Sequence, residues 1–344
     1  MLAITACRKE HTPTPSSGPV INNPNVDVYV VGTSSPNGSA TYWKNGVPTY
    51  LNGDKANAIL VNGLEVYVAG RSRDVNGNFI ATYWINGSPV HLPGIDADAL
   101  AIAVVGSDVY VAGNTMTASG GQATYWKNGI ATTLPSGSSN LAGAAEAIAV
   151  NGGDVYIAGY TLDANLHFVP TLWKNDVPSF LPSGTNKDAA AYAIKINGND
   201  VYVVGTSANT DGGQNFFSNT GSNKALLWKN GVVTTLDDSS SNSGASAVAI
   251  SGSDVYVGGF SNDSNGLILA TYWKNGKETK IPLLTPQFSI YSETGIAVQG
   301  QDVYVSGQPG AYPGYWVNGS PVQLDKSINP SGAAFTRAIA VVPN

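Results

Sequence analysis

A repeating all-β fold, seven like units closed into a ring, is predicted by three features of this 344-residue chain. The first is a tryptophan register. Trp43, Trp84, Trp126, Trp173, Trp228, Trp273 and Trp316 are spaced 41, 42, 47, 55, 45 and 43 residues apart, each just before a turn such as Asn128-Gly129. The second is a tyrosine register, with Tyr29, Tyr67, Tyr110, Tyr156, Tyr202, Tyr256 and Tyr304 recurring once per unit. The third is a mismatch between the chain's ends: the first unit lacks a strand, and the last is followed by a spare one, Ala338-Ile339-Ala340-Val341-Val342. Strand-built repeats of this period are the length of propeller blades. The expected architecture is a seven-bladed β-propeller of four-stranded antiparallel blades, with the C-terminal strand joining the first blade.

The unit around Trp126 shows its four strands in order. Strand A, Ala99 to Val104, is built of Ala, Ile and Val, small enough for the innermost position where neighbouring sheets converge. After the turn Gly106-Ser107 comes strand B, Asp108 to Gly113, rich in β-branched and aromatic residues. Strand C, Ala123 to Trp126, ends at Asn128-Gly129, a pair that tolerates the positive φ of a tight hairpin. Strand D, Ile130 to Leu134, closes the unit. Blades bury both faces against each other, so runs of apolar residues are expected instead of strict alternation.

Composition narrows the function classes. The formal net charge is −6 without any Lys/Arg cluster, so no nucleic-acid partner is expected. No apolar run of about 20 residues follows residue 20, so no helix spans a membrane. Cys7 is the only cysteine and excludes an intramolecular disulfide. Ile4-Thr5-Ala6-Cys7 resembles the bacterial lipobox, which implies lipidation of Cys7 and a cell-envelope or secreted location instead of the cytoplasm. Only six residues precede Cys7, fewer than a complete signal peptide has. Residues 1–7 are therefore read as a truncated lipoprotein signal, 8–24 as a flexible polar tether, and 25–344 as the propeller. The membrane would be met only through the anchor at Cys7, and a monomer is expected.

The period also resembles the HAF-type repeat of bacterial extracellular proteins. Trp84, Asn86-Gly87, Leu92, Ala101, Ile102, Gly106 and the stretch Val109 to Gly113 follow its order, over roughly residues 26–342. The resemblance implies a repeat fold and an extracellular setting, and it carries no shared catalytic motif.

The seven copies locate the variable end of the ring. The A–B and C–D turns are nearly constant and share one end; the B–C and D–A loops share the other and differ widely in length. Loops on a rigid scaffold carry most binding functions. One position in strand A, otherwise repetitive, takes seven identities: Asn57, Leu100, Glu146, Tyr192, Ser246, Thr294 and Arg337. Entering from the variable end, these residues should ring the channel mouth, as a selective pocket or as a rim free to drift. The aromatic residues outside the framework cluster at the same end: Phe79, Tyr160, Phe168, Tyr192, Phe216, Phe217, Phe260, Phe288, Tyr291, Tyr312 and Phe335. They serve either ligand stacking or satellite cores beneath long loops. Candidate ligand contacts are Asn57, Glu146, Tyr192, Thr294, Arg337, Phe216 and Phe217, for a glycan, peptide or protein.

Catalytic signatures are sparse. His11, His91 and His167 have no metal-ligand spacing, so neither metal nor cofactor is expected. The loops from Ser72 to Gly77 and Ser261 to Gly266 resemble the sialidase Asp-box and part of a calcium loop, but they sit between strands B and C and lack the distal glutamate. A polysaccharide hydrolase or lyase stands as the alternative, needing Glu146, Tyr192 and Arg337 to converge; a purely structural or assembly role is the other. Asp108, Asp154, Asp200 and Asp254 open strand B beside Lys127, Lys174, Lys229 and Lys274 at the end of strand C, so scaffold ion pairs are expected; Ile85 and Val317 break the pattern.

Overall fold

The computed structural model describes residues 25–34, 38–118, 120–136, 142–209, 223–237, 242–283, 294–310, 312–324 and 334–344. Among the described residues twenty-eight strands form seven four-stranded antiparallel sheets, each ordered A-B-C-D from the axis outward. In the third blade the strands are Asp98–Val105, Asp108–Thr117, Gly120–Lys127 and Ile130–Thr133. B and C run further toward the variable end than their apolar runs indicate, because the polar ladder Thr115↔Gln122 to Thr117↔Gly120 continues their pairing.

The ring closes as its ends predict. Phe335–Pro343 pairs with Val26–Ser34, from Val26↔Pro343 to Thr33↔Phe335, and becomes the innermost strand of blade 1. Blade 1 thus joins both ends of the chain and covers an edge that would otherwise be open.

Each tryptophan is fully buried, and each packs on the blade before its own. Trp126 of blade 3 sits on Tyr67, Ala69, Ala81 and Leu92 of blade 2; Trp43 of blade 1 sits on Tyr304, Tyr315 and Val322 of blade 7. Seven such seams make one continuous core. The indoles of Trp126, Trp173 and Trp228 donate to the carbonyls of Pro93, Pro135 and Pro182, at 2.8, 2.8 and 2.9 Å, tying each blade to the end of the preceding strand D.

At the constant end the C–D hairpins have φ near +50° at the first turn residue, as at Asn128 (φ 51°) and Gly129 (φ 81°). Blade 4 holds the same turn with Asn175-Asp176, the aspartate at φ 67°. Beside each turn the expected ion pairs form: Lys127–Asp108 at 3.0 Å, and Lys174–Asp154, Lys229–Asp200 and Lys274–Asp254 each at 2.8 Å. Lys44–Asp27 at 2.6 Å adds a fifth. The lysine stands directly opposite the tyrosine, Tyr110↔Lys127, so the pair runs diagonally and the ammonium lies 5.1 Å from the ring centre. The turn asparagine completes the cluster. Asn128 Oδ1 accepts the Val109 N–H at 2.9 Å while its Nδ2 donates to Asp108 at 2.8 Å. These bonds from Asn128 and Lys127 hold the Asp108 carboxyl below the ordinary aspartate value. Blade 2, with Ile85 in place of lysine, keeps the tyrosine-to-acid hydrogen bond of the other blades, from the Tyr67 hydroxyl to Glu65.

Candidate ligand-binding site at the channel mouth

A backbone irregularity places the seven variable side chains. In blades 2 to 6 the pairing of strands A and B slips by one residue between Ala56 and Ala58, Ala99 and Ala101, Ala145 and Ala147, Ala191 and Ala193, and Ala245 and Ala247. The skipped residues are Asn57, Leu100, Glu146, Tyr192 and Ser246. In blade 1 the slip falls at Arg337, between Gly32↔Thr336 and Val31↔Ala338. Each is a β-bulge, the device that re-aims one side chain out of a ladder. The carbonyl before the slip is pushed against strand B, where only glycine fits: a Cβ on Gly113 would collide with the Asp98 carbonyl, and one on Gly205 with that of Ala190. In blade 7 strand A starts only at Ile296, and Thr294 precedes it.

All seven positions line one cavity of about 260 Å³ on the axis. Their local roles differ. Asn57 donates across the seam to the Asp98 carboxylate and the Ala99 carbonyl, both at 2.8 Å. Ser246 Oγ donates to the Thr294 carbonyl at 2.8 Å and accepts the Thr294 N–H at 3.2 Å, and Thr294 is buried. Asn57, Ser246 and Thr294 therefore tie neighbouring blades together as well as lining the wall. Glu146 and Tyr192 stand on adjacent blades 4 and 5; Arg337, stacked 4.9 Å from the Phe335 ring, stands on blade 1 across the ring from them. The Glu146 carboxylate adds to burial in pushing the Tyr160 phenol above its ordinary value.

Sequence reasoning missed two features here. One is Asp98, nearly buried at the seam of blades 2 and 3, which gathers Arg71 at 3.4 Å and Lys55 at 3.5 Å. The Arg71 guanidinium in turn covers Phe79, 3.9 Å from its centre, with Arg73 at 4.2 Å. The other is Lys195, which reaches into the cavity from three residues further down strand A than Tyr192. Its side chain is exposed to the channel yet enclosed by the ring, and that confinement lowers its pKa from the ordinary lysine value.

The variable-end aromatics divide. Phe260 is buried in the seam of blades 6 and 7, and Tyr160 and Phe168, 4.8 Å apart, cover a small cluster around Ala190 and Ala208 that Tyr192 also touches. These rings do satellite-core work. Phe216, Phe217, Phe288, Tyr291 and Cys7 lie outside the described residues. Asp74 and Asp263 each cap their own loop: Asp74 Oδ1 accepts the N–H of Asn76 and Asn78 at 2.8 and 2.9 Å, and Asp263 Oδ1 those of Asn265 and Leu267, both at 2.8 Å. This is ordinary turn chemistry. A second cavity of about 290 Å³, between Thr161, Asp163 and Phe180, offers one carboxylate, and Asp163 already accepts the N–H of Asn165 and His167. Among the described residues lining the axial cavity Glu146 is the only carboxylate.

No family model matches the chain, and no curated protein matches it. Among solved structures, the β-propeller domain of the Trilobed protease from Pyrococcus furiosus, which has an open velcro topology, aligns with a TM-score of 0.50 at 12% identity, over 89% of this chain and 96% of that one. The acylaminoacyl peptidase of Pyrococcus horikoshii aligns with a TM-score of 0.46 at 14% identity, over 88% of this chain and 51% of that one. The chain thus spans about half the length of that peptidase. At such identities the likeness to the Trilobed protease domain shows the fold, a β-propeller, here closed by strand pairing between the two ends of the chain.

Proposed function

We propose that the chain is a cell-envelope propeller of the bacterial extracellular repeat type, tethered by lipid at Cys7, that binds a glycan, peptide or protein at the end formed by the B–C and D–A loops. One observation carries this reading. A bulge repeated in six blades, with Thr294 at the matching place in the seventh, brings seven different side chains to a single axial cavity, while most of the strand around them repeats. A scaffold with no ligand needs the repetition and has no use for the convergence. Glu146, Tyr192 and Arg337 bring a carboxylate, a phenol and a guanidinium to the mouth, a set suited to polar recognition with one stacking surface.

The test is a screen of the full chain on glycan and peptide arrays, followed by Glu146→Gln/Tyr192→Ala/Arg337→Ala. The triple variant should lose the ligand by at least about a hundredfold with an unchanged melt, since two or more hydrogen bonds to charged groups disappear. Lys127→Ala, at the other end, should bind normally. Loss of binding in Lys127→Ala with a silent triple variant would move the site to the constant end. For the anchor, expression behind a complete bacterial signal should give a membrane-bound protein that Cys7→Ala releases; equal partitioning of the two forms would remove the lipid from this reading.

A further inference from the structure

Lys195 departs from the repeat at a cavity-lining position where the other blades carry apolar residues. It lies three residues down strand A from the bulge, about 10 Å at the rise of a strand, at a position held by Leu60, Ala103, Ala149, Ala249, Ala297 and Ala340 in the other blades. The scaffold therefore needs no amine there. Among the described residues it has neither an ion-pair nor a hydrogen-bond partner, and it lines the axial cavity on the constant-end side of Tyr192. An enclosed ammonium without a counter-charge is unfavourable unless water or a ligand solvates it.

The charge of the cavity points the same way. Its lining carries Lys55, Lys195 and Arg337 against Glu146, in a chain whose formal net charge is −6. Lys55 is engaged by Asp98 at the rim. The volume of about 260 Å³ is below the usual range of about 300–1,000 Å³ for a whole small-molecule ligand. What fits is the end of a slender molecule.

We propose that the channel is a socket for a carboxylate-bearing end group, which passes Glu146, Tyr192 and Arg337 at the mouth and is held by the Lys195 ammonium. This rests on the binding reading above and names its ligand chemistry: a free peptide C-terminus or a terminal uronic acid both present it. The other mouth groups contact the neutral part of the ligand, and the ammonium selects its charged tip.

The experiment uses the full chain and two matched pairs of probes: N-acetyl-trialanine against its C-terminal amide, and galacturonic acid against its methyl ester. Affinity is measured by calorimetry, and shielding of Lys195 from an amine-reactive ester by peptide mapping. One acid should bind about tenfold or more tighter than its neutral partner and shield Lys195. Which pair does so separates the peptide source from the sugar. Lys195→Met should abolish the preference with an unchanged melt, and Lys195→Arg should restore most of it. The proposal is overturned if neither acid is preferred, if the preference survives Lys195→Met, or if no probe shields Lys195. A neutral ligand that still binds and is lost in the Glu146/Tyr192/Arg337 triple variant would then leave the mouth reading standing without the socket.

Discussion

The two ends of the ring repeat different things. At the constant end both backbone and side chains recur: five blades carry the same Asp–Lys ion pair at 2.6 to 3.0 Å beside the same asparagine turn. At the variable end a backbone device recurs without a fixed side chain on it. Six blades carry a bulge between strands A and B, yet the residue on it is Asn57, Leu100, Glu146, Tyr192, Ser246 or Arg337. Where a side chain holds the blade together it repeats with the blade. Where the backbone forms the repeated device, the side chain on it is free to differ from blade to blade. The contrast separates scaffold from site within one chain.

The strongest way to break that contrast is to open the ring. Deleting residues 334–344 removes the innermost strand of blade 1, leaves the inner edge of Val26–Ser34 unpaired, and takes Arg337 from the mouth. A loss above about 5 kcal/mol is expected, equivalent to more than about 7 °C in a thermal melt. Removing residues 1–24 should leave the melt unchanged; similar losses in both truncations would show that closure lies elsewhere.

Next come the glycines of the two ends. Gly113→Val forces a side chain against the Asp98 carbonyl at a bulge and should cost about 3 kcal/mol. Gly129→Ala meets nothing within 4 Å and strains only a φ of +81°, for about 1 kcal/mol. Urea melts of the two variants measure the difference. Equal costs would mean that the bulge yields as easily as the hairpin.

The smallest effect belongs to the repeated ion pairs, which are solvent-exposed and worth little one at a time. Asp108→Asn should leave the melting temperature within replicate scatter. Collectively the pairs shape the pH profile. Asp108 is held below the ordinary aspartate value mainly by Asn128 and Lys127, and Asp154, Asp200 and Asp254 mainly by their lysines. Just below pH 4 the unfolded chain binds more protons, so this stabilisation is complete above about pH 4 and lost as the pH falls through the lowered values. The lysines shift upward, Lys174 to about 12 through Asp154 and Tyr156, so their share is present below about pH 10 and lost as the pH rises through the raised values. Melts between pH 2 and 5 should show a shallower acid limb when all four aspartates become asparagine. An identical limb would assign acid unfolding to other carboxylates.

The bulge leaves a mark in the sequence. A glycine inside a strand pattern is a recognised sign of a bulge or a close backbone approach, and Gly70, Gly113, Gly159, Gly205 and Gly259 recur at the same place in strand B. That signal was present in the repeat. Asp98 gave no such signal: its partners Asn57, Lys55 and Arg71 lie 27 to 43 residues away and meet it only across a blade seam. Lys195 reads in sequence as one more polar residue near a strand end.

Blade number, strand order, ring closure and the constant-end ion pairs follow from local pattern, because each repeat encodes its own turns and its own apolar runs, and seven copies average out the exceptions. The variable position in strand A was visible for the same reason. What only the tertiary structure decided is which of those seven residues tie blades together and which meet in the cavity, and that an unrepeated lysine joins them. Convergence on the axis depends on the ring bringing together strands that are far apart in the chain, and no repeat taken alone contains that geometry.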